Sequence, residues 1–251
     1  MPGSDMPYPV KGPQRGSEIR AVLFDKDGTL FSYHETWGPI LREAAAMAAE
    51  GDEGLVPRLL EAVGYNAATG RIGAGTVFAA GETVELATLW NKLGVKREVR
   101  RLVEDLDSLF AREAPRRSHP VTDLQVLFST LRQRGLRLGL ATNDGEASAF
   151  ATIARFGLAE HLEFHCGYDS GYGAKPLPGM VNAFCAAVGV GPEAVAVVGD
   201  NSHDLDMGRA AGAGLLVGVL TGTSARGDLA PLADAVIDSI ADLPMLLDER
   251  G

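Results

Sequence analysis

Two aspartates separated by a single residue follow an apolar segment near the start of the chain. Residues 19–24 are mostly apolar and lead directly into Asp25, Lys26, Asp27 and Gly28. Side chains two residues apart in an extended segment point to the same side, so Asp25 and Asp27 would face one small volume. A phosphate group and a divalent cation would fit that volume. The spacing therefore indicates phosphate chemistry.

This pair has two simpler explanations. A surface turn also contains Asp and Gly, because both residue types suit turns. A calcium-binding loop of the EF-hand type needs glycine at its sixth position, whereas Gly28 follows Asp25 by only three residues. The spacing excludes the calcium loop and leaves the surface turn as the alternative.

Polar residues also follow two later apolar runs. Thr142 comes directly after residues 136–141, and Asp200 comes directly after residues 194–199. In an open parallel sheet, ligands bind beyond the carboxyl ends of the strands. We therefore expect Asp25, Thr142 and Asp200 to converge from distant parts of the sequence.

The elements that would position these residues alternate between strands and helices. Near-continuous apolar runs predict parallel strands buried on both faces, and the segments between them have helical spacing of apolar residues. This alternation predicts an α/β fold with a doubly wound, mostly parallel sheet. The predicted strands are residues 19–24, 136–141, 194–199 and 214–220, with weaker candidates at 162–166 and 235–238.

The region from about residue 35 to residue 115 interrupts this alternation. It contains no convincing strand, but it has apolar positions at helical spacing, such as Val99, Leu102 and Leu106. An inserted all-helical domain is the simplest interpretation. The predicted organisation is a flexible leader at 1–18, a core domain at 19–33 and 117–251, and a cap domain at 34–116.

The amino-acid composition of the chain limits the kinds of molecule that it is expected to bind. The chain has 23 basic and 33 acidic residues and a net charge of −10, which argues against binding to nucleic acid or to an anionic membrane. Its two cysteines form no disulfide framework, and residues 1–18 lack the apolar core of a signal peptide. No apolar stretch is long enough to span a bilayer. We expect a cytoplasmic protein, and the sequence indicates no oligomeric state.

Four segments resemble the motifs of the haloacid dehalogenase (HAD) superfamily in its phosphatase branch. Residues 24–30 (FDKDGTL) resemble the first motif and residues 140–143 (LATN) the second; residues 173–178 (GAKPLP) resemble the third and residues 198–208 (VGDNSHDLDMG) the fourth. The predicted helical insert resembles the cap of the phosphoglycolate phosphatase and β-phosphoglucomutase type. The resemblance covers almost all of the chain after the leader. It implies a HAD-like Rossmannoid core with a helical cap.

The resemblance also implies catalytic roles. Asp25 would be the nucleophile that forms a phospho-aspartyl intermediate, and Asp27 would act first as an acid and then as a base. Thr142 and Lys175 would hold the phosphoryl oxygens, with Asn143 as a further substrate-binding residue.

The cofactor that the resemblance implies is Mg²⁺. Its protein ligands would be Asp25, Asp200 and the backbone carbonyl of Asp27, with Asp204 bound directly or through water; Mg²⁺ takes few carboxylates and keeps several waters. Asp204 would also suit the start of a helix as a cap. His203 is expected to be a solvated loop residue, with a place in the lining of the site as the alternative.

The expected function is hydrolysis of a small phosphorylated metabolite, with phosphoglycolate phosphatase as the most similar type. That substrate carries a carboxylate, so a basic cap residue is expected, and Arg71 is the candidate; simple solvation of Arg71 is the alternative. His34 and Trp37 are further candidates to face the cleft, although Trp37 is also expected to pack within the cap.

Three alternatives remain at this point. A phosphomutase of the β-phosphoglucomutase type would share Asp25 and Asp27 with a phosphatase. A dehalogenase needs no acid two residues after its nucleophile, so Asp27 argues against that function. A non-catalytic regulatory module that binds a phosphorylated ligand belongs to another class; it would be expected to lack a nucleophile, acid or metal ligand, and none is missing.

Overall fold

A computed structural model describes residues 18–73 and 75–250, so the predicted leader at 1–18 lies, apart from Glu18, outside the described residues. Six strands form one sheet, and each coincides with a predicted strand to within two residues. The strands are β1 (Ala21–Phe24), β2 (Arg137–Ala141), β3 (Phe164–Cys166), β4 (Val195–Gly199), β5 (Leu215–Val219) and β6 (Ala235–Ile237). The predicted strands are therefore confirmed, including the two weaker candidates.

All neighbouring strands in this sheet are parallel, in the order β3-β2-β1-β4-β5-β6. The first strand lies near the centre, and its last residue, Phe24, is opposite Leu140 of β2 and Val198 of β4. This register brings the carboxyl ends of three central strands to the same level. The predicted doubly wound α/β fold is confirmed.

Helices flank the sheet on both faces because successive side chains of a strand point in opposite directions. Val22 and Phe24 pack against one group of helices, whereas Ala21 and Leu23 pack against the other. The first group is α6 (Leu124–Gln133), α7 (Glu146–Arg155) and α11 (Leu243–Asp248); the second is α8 (Gly179–Val188), α9 (Ser202–Ala211) and α10 (Arg226–Leu229).

Five helices between β1 and α6 form a separate apolar core. They are α1 (Tyr33–Ala49), α2 (Leu55–Ala62), α3 (Val77–Ala80), α4 (Thr83–Lys92) and α5 (Val99–Arg117). Trp90 is fully buried in this core, and its indole Nε1 donates to the carbonyl of Leu59 at 3.1 Å. The predicted helical cap is confirmed, while the division into a core domain at 19–33 and 117–251 and a cap domain at 34–116 stays a prediction.

The cap contacts the core through α5, which packs against α7. Beyond this helix pair, the Tyr168 hydroxyl of the core donates to the Asp107 carboxylate on α5 at 3.1 Å. These contacts fix one side of the cap over the sheet. Among the residues described, no helix is long and apolar enough to cross a membrane.

Candidate active site

Three predicted carboxylates meet at the carboxyl ends of the central strands. Asp25 directly follows β1, Asp200 directly follows β4, and Asp204 lies in the first turn of α9. The Asp25 amide donates to the carbonyl of Val198 at 2.9 Å, so the parallel pairing continues through Asp25. One carboxylate oxygen from each of the three aspartates lies within 4.8 Å of the others. The expected convergence of Asp25 and Asp200 is confirmed.

Lys175 joins two of these carboxylates. Its Nζ donates to Asp25 Oδ1 and to Asp204 Oδ1, each at 2.6 Å, and the lysine side chain is only 3% exposed. Asn143 holds the backbone of Lys175 from both sides: its Oδ1 accepts from the Lys175 amide at 2.9 Å, and its Nδ2 donates to the Lys175 carbonyl at 3.3 Å. The second and third motifs are therefore joined directly, and Asn143 positions Lys175.

Asp204 has two structural roles at once. It is the third residue of α9, where its Oδ2 accepts from the amide of Asn201 at 3.1 Å and completes a capping box. Its other oxygen accepts from Lys175. The helix cap and the site residue are thus the same side chain, so the two explanations of Asp204 do not exclude each other.

The Asp200 carboxylate lies in a narrow space between two glycines. A Cβ at Gly28 would lie 2.6 Å from Asp200 Cγ, and a Cβ at Gly222 would overlap with Asp200 Oδ2. The same Oδ2 accepts from the amide of Thr223 at 2.7 Å and from its hydroxyl at 3.2 Å. Gly28 also has a φ of +89°, which a residue with a side chain rarely adopts. The sequence around Asp200 therefore fixes the position of its carboxylate.

These carboxylates suit a divalent cation. Asp25 Oδ2 is buried and has no hydrogen-bond partner among the described residues, although Asp25 Oδ1 is held by Lys175. Burial raises the pKa of Asp25 to about 7, despite the opposing effect of Lys175, and burial and the neighbouring Asp25 raise that of Asp200 well above its ordinary value. A divalent cation would supply the missing partner and favour the ionised carboxylates. Oxygen donors of this type fit Mg²⁺.

Asp27 lies in a different electrostatic environment from Asp25. The Lys26 ammonium is 2.9 Å from Asp27 Oδ2 and 2.6 Å from Asp144 Oδ2, and the Lys26 side chain is fully buried. The same ammonium lies 5.4 Å from the centre of the Trp37 ring. Burial raises the pKa of Asp27, and the positive charge of Lys26 opposes that rise. Asp25 and Asp27 are therefore each paired with a different lysine.

Thr142 is 2% exposed, and its Oγ1 accepts from the amide of Asp144 at 3.0 Å. This bond folds the chain back after β2, so that Thr142 and Asn143 both line the cleft above the sheet. Thr142 therefore lies where the sequence places it, at a strand end beside the aspartates.

The site opens into a cleft between the core and the cap. Its floor consists of the motif residues described above, and its opposite wall comes from α1, α3, α4 and α5 of the cap. Trp37 lines this wall and also packs in the cap core, so both expectations for it are confirmed. His203 was expected in a solvated loop; that expectation is wrong, because it is half-buried in the first turn of α9 and lines the cleft.

Arg71 does not lie at the site, which corrects the prediction that it contacts substrate. Its side chain is exposed and is not among the cleft-lining residues described. The reason is local alternation: the neighbouring Ile72 is 2% exposed and packs into the cap core, so Arg71 points outward. His34 is not among the described lining residues either, since its Nδ1 accepts from the amide of Ile72 at 3.2 Å.

Several site residues are absent from the sequence-based prediction. Lys26 and Asp144 could have been predicted from the sequence, because Lys26 lies within the first motif and Asp144 directly follows the second. Thr223 lies in the loop after β5, and the strand-end rule applied to the fourth apolar run would have pointed to that loop, although to Thr221 first. Tyr33 and Phe78 line the cleft from the cap, and no spacing in the sequence indicates that placement.

Comparison with known proteins agrees with this architecture. The model of the haloacid dehalogenase-like hydrolase family matches residues 19–212. The chain therefore belongs to the haloacid dehalogenase-like hydrolases.

Within this family, the chain is similar to phosphoglycolate phosphatases. The plasmid phosphoglycolate phosphatase of Cupriavidus necator is 30% identical over 229 residues, which cover 90% of this chain and 92% of that protein. A crystal structure from Lactobacillus delbrueckii subsp. bulgaricus, assigned as a phosphoglycolate phosphatase, has a TM-score of 0.69 at 20% identity and covers 92% of this chain and 98% of its own. One from Thermotoga maritima, assigned as a β-phosphoglucomutase, has a TM-score of 0.64 at 20% identity, with coverage of 92% and 99%. The two structural similarities show a shared fold.

Proposed function

We propose that this protein hydrolyses small phosphomonoesters with the help of Mg²⁺, through a phospho-aspartyl intermediate on Asp25. The observation that carries the proposal is the state of the Asp25 carboxylate. One of its oxygens is held by Lys175 at 2.6 Å, whereas the other is buried without a partner beside Asp200. A buried, positioned carboxylate with one uncommitted oxygen suits attack on phosphorus next to a cation.

The proposed reaction has two displacements at phosphorus. In the first, a carboxylate oxygen of Asp25 forms a bond to phosphorus while the bond from phosphorus to the leaving oxygen breaks, and Asp27 gives that oxygen its proton. In the second, Asp27 takes a proton from water, the water oxygen attacks phosphorus, and the bond to Asp25 breaks. Lys175 and Thr142 orient the phosphoryl oxygens throughout.

Mg²⁺, held by Asp25, Asp200 and the Asp27 carbonyl, with Asp204 bound directly or through water, would neutralise charge on the phosphoryl group. The site needs such a cation, because its carboxylates outnumber its lysines and the substrate is itself an anion. The cap, which we place at residues 34–116, would shield the reacting groups from bulk water.

The name of the Cupriavidus necator relative makes 2-phosphoglycolate the first substrate to test. A phosphomutase is the second candidate, since it would use the same two aspartates and differ only in where the phosphate goes. Product analysis separates these functions: a phosphatase releases inorganic phosphate, whereas a mutase returns the phosphate to another hydroxyl of the sugar. The non-catalytic alternative is disfavoured, because nucleophile, acid, lysine and metal carboxylates are all present.

Replacing the nucleophile tests the proposal. We expect Asp25→Asn to abolish phosphate release across a panel of phosphorylated metabolites with Mg²⁺, because an amide does not attack phosphorus. Asp206→Asn is the matched control, since Asp206 pairs with Arg209 on the outer side of α9. A chelator should also stop turnover of the unchanged protein, and added Mg²⁺ should restore it. Full turnover by Asp25→Asn would show that the nucleophile assignment is wrong.

A further inference from the structure

The cap wall of the active-site cleft contains several aromatic and aliphatic side chains. Three of its aromatic rings contact one another edge-on: Trp37 and Phe110 have ring centres 5.3 Å apart at 85°, and Phe78 lies 5.7 Å from Trp37 and 6.0 Å from Phe110. Edge-to-face packing of this kind restrains all three rings. The apolar and aromatic residues of this wall are Tyr33, Trp37, Val77, Phe78, Leu86 and Phe110.

The position of this wall is fixed by hydrogen bonding as well as by packing. The Tyr33 hydroxyl donates to the carbonyl of Phe78 at 3.1 Å, which joins the start of α1 to α3. Tyr33 and Trp37 are each only 5% exposed. The cleft therefore meets only a small exposed part of these two side chains, which are held in a fixed position opposite the aspartates.

The charges around the cleft are unbalanced in the acidic direction. In the part of the chain that the structure describes, Lys175 is the only lysine or arginine that lines the cleft, and its ammonium is already shared between Asp25 and Asp204. Lys26 lies behind the lining and is engaged by Asp27 and Asp144. The cap adds one more acid, Glu82, to the lining.

A second negative charge on the substrate would be unfavourable in this cleft. The phosphate group is matched by Lys175 and by the proposed Mg²⁺, but a carboxylate on the leaving group would lie against aromatic rings and Glu82. Burying an anion without a partner is costly, whereas an apolar or ring-shaped group would gain from contact with Trp37 and Phe110. Arg71, the one basic cap residue predicted to accept a carboxylate, is exposed outside the cleft.

From this arrangement we infer that the preferred substrate is a phosphomonoester whose leaving group is uncharged and apolar. The inference rests on the proposed phosphomonoesterase function and names its substrate class. It places 2-phosphoglycolate, whose leaving group carries a carboxylate, among the poor substrates. The residues that would determine this preference are Trp37, Phe78, Glu82 and Phe110.

Two nearly matched esters test the inference. Benzyl phosphate and 4-carboxybenzyl phosphate have similar leaving oxygens and differ in one remote negative charge. We expect kcat/KM for benzyl phosphate to exceed kcat/KM for 4-carboxybenzyl phosphate and for 2-phosphoglycolate by about tenfold or more. A tenfold difference requires only a small fraction of the free energy that it costs to bury an unpaired charge.

A charge-reversal variant links this preference to the cleft wall. Glu82→Lys places a cation beside the leaving group, so the ratio of kcat/KM for benzyl phosphate to that for 4-carboxybenzyl phosphate should fall by about fivefold or more. Glu61→Lys is the matched control, because it makes the same charge change at an exposed position on α2. In this control, the ratio of kcat/KM for the two benzyl esters should equal that of the unchanged protein.

The outcomes separate the two proposals. Hydrolysis of 2-phosphoglycolate or 4-carboxybenzyl phosphate at least as efficient as that of benzyl phosphate, and lost in Asp25→Asn, would support the phosphatase and overturn the substrate class. Equal ratios in Glu82→Lys and Glu61→Lys would also overturn it, because the wall would then not set the preference. Absence of hydrolysis with every ester would overturn the phosphatase, and the substrate class with it.

Discussion

Replacing Lys26 with methionine would leave two buried carboxylates without their cation. The Lys26 ammonium is fully buried and lies 2.6 Å from Asp144 and 2.9 Å from Asp27, whose side chains are 8% and 11% exposed. Methionine has a similar length, so the change removes the charge and leaves little empty volume. The variant therefore isolates the electrostatic contribution of this lysine.

The magnitude follows from the burial of all three groups. Removing one partner of a buried ion pair costs about 3–5 kcal/mol, because the remaining charge stays desolvated and uncompensated. For a chain of this size, each kcal/mol lowers the melting temperature by about 2–4 °C, so the expected decrease is roughly 6–20 °C. Burial opposes the charge on Lys26, but Asp144 and Asp27 outweigh it and raise the pKa of Lys26.

That raised pKa fixes the pH at which to measure. A lysine whose pKa is higher in the folded than in the unfolded state stabilises the fold fully below its unfolded pKa, and the contribution is lost only as pH rises through the folded value. Chemical denaturation near pH 7.5 therefore detects the whole effect. Lys96→Met is the matched control, since Lys96 is exposed, and it should change the free energy of unfolding by less than about 0.5 kcal/mol.

A double variant decides whether the loss comes from the pair. In Lys26→Met/Asp144→Asn the uncompensated carboxylate is also removed, so the combined loss should be smaller than the sum of the two single losses. A loss in Lys26→Met no larger than in the Lys96→Met control would refute the reasoning, because the buried carboxylates would then not depend on this cation.

Two further predictions concern the metal carboxylates. Gly222→Ala should weaken Mg²⁺ binding, measured by calorimetry, by about tenfold or more, because its Cβ would displace the Asp200 carboxylate; Gly227→Ala, whose Cβ meets no atom within 4 Å, should bind Mg²⁺ normally. Stabilisation by Mg²⁺ should increase as pH rises through about 7, since burial raises the pKa of Asp25 to about 7 and the protonated carboxyl must lose its proton to bind metal. Equal stabilisation at pH 5.5 and 8 in thermal melts would contradict this.

The sheet and the cluster of carboxylates proposed to bind the metal could be predicted from the sequence because they follow simple rules. Each buried parallel strand appears as an uninterrupted apolar run, and chemistry in such a sheet lies at the strand ends. Asp25, Thr142 and Asp200 are each the first residue after a strand, so their convergence needs only the strand order. Lys175 has no such position, and only its motif predicted that it would meet Asp25.

The cap side of the site could not be predicted in the same way. Helical spacing shows which residues of α1 and α5 are buried, but not whether Trp37 and Phe110 are buried in the cap alone or also face the cleft. That distinction depends on how the cap lies on the core. Arg71 illustrates the limit: as a basic cap residue it is the candidate for the cleft, whereas the inward packing of Ile72 directs it to solvent.

The two lysines give the neighbouring aspartates of the first motif different partners. Asp25 is paired with Lys175, which also holds Asp204, so its environment is shared with the carboxylates proposed to bind the metal. Asp27 is paired with Lys26, which is anchored to Asp144 behind the cleft. A nucleophile needs an ionised carboxylate, which the charge of Lys175 favours at Asp25, whereas an acid must first carry a proton, which burial favours at Asp27 against the charge of Lys26. The residue between the two aspartates is Lys26. The first motif of this chain therefore contains both aspartates and also the lysine that makes the surroundings of Asp27 different from those of Asp25.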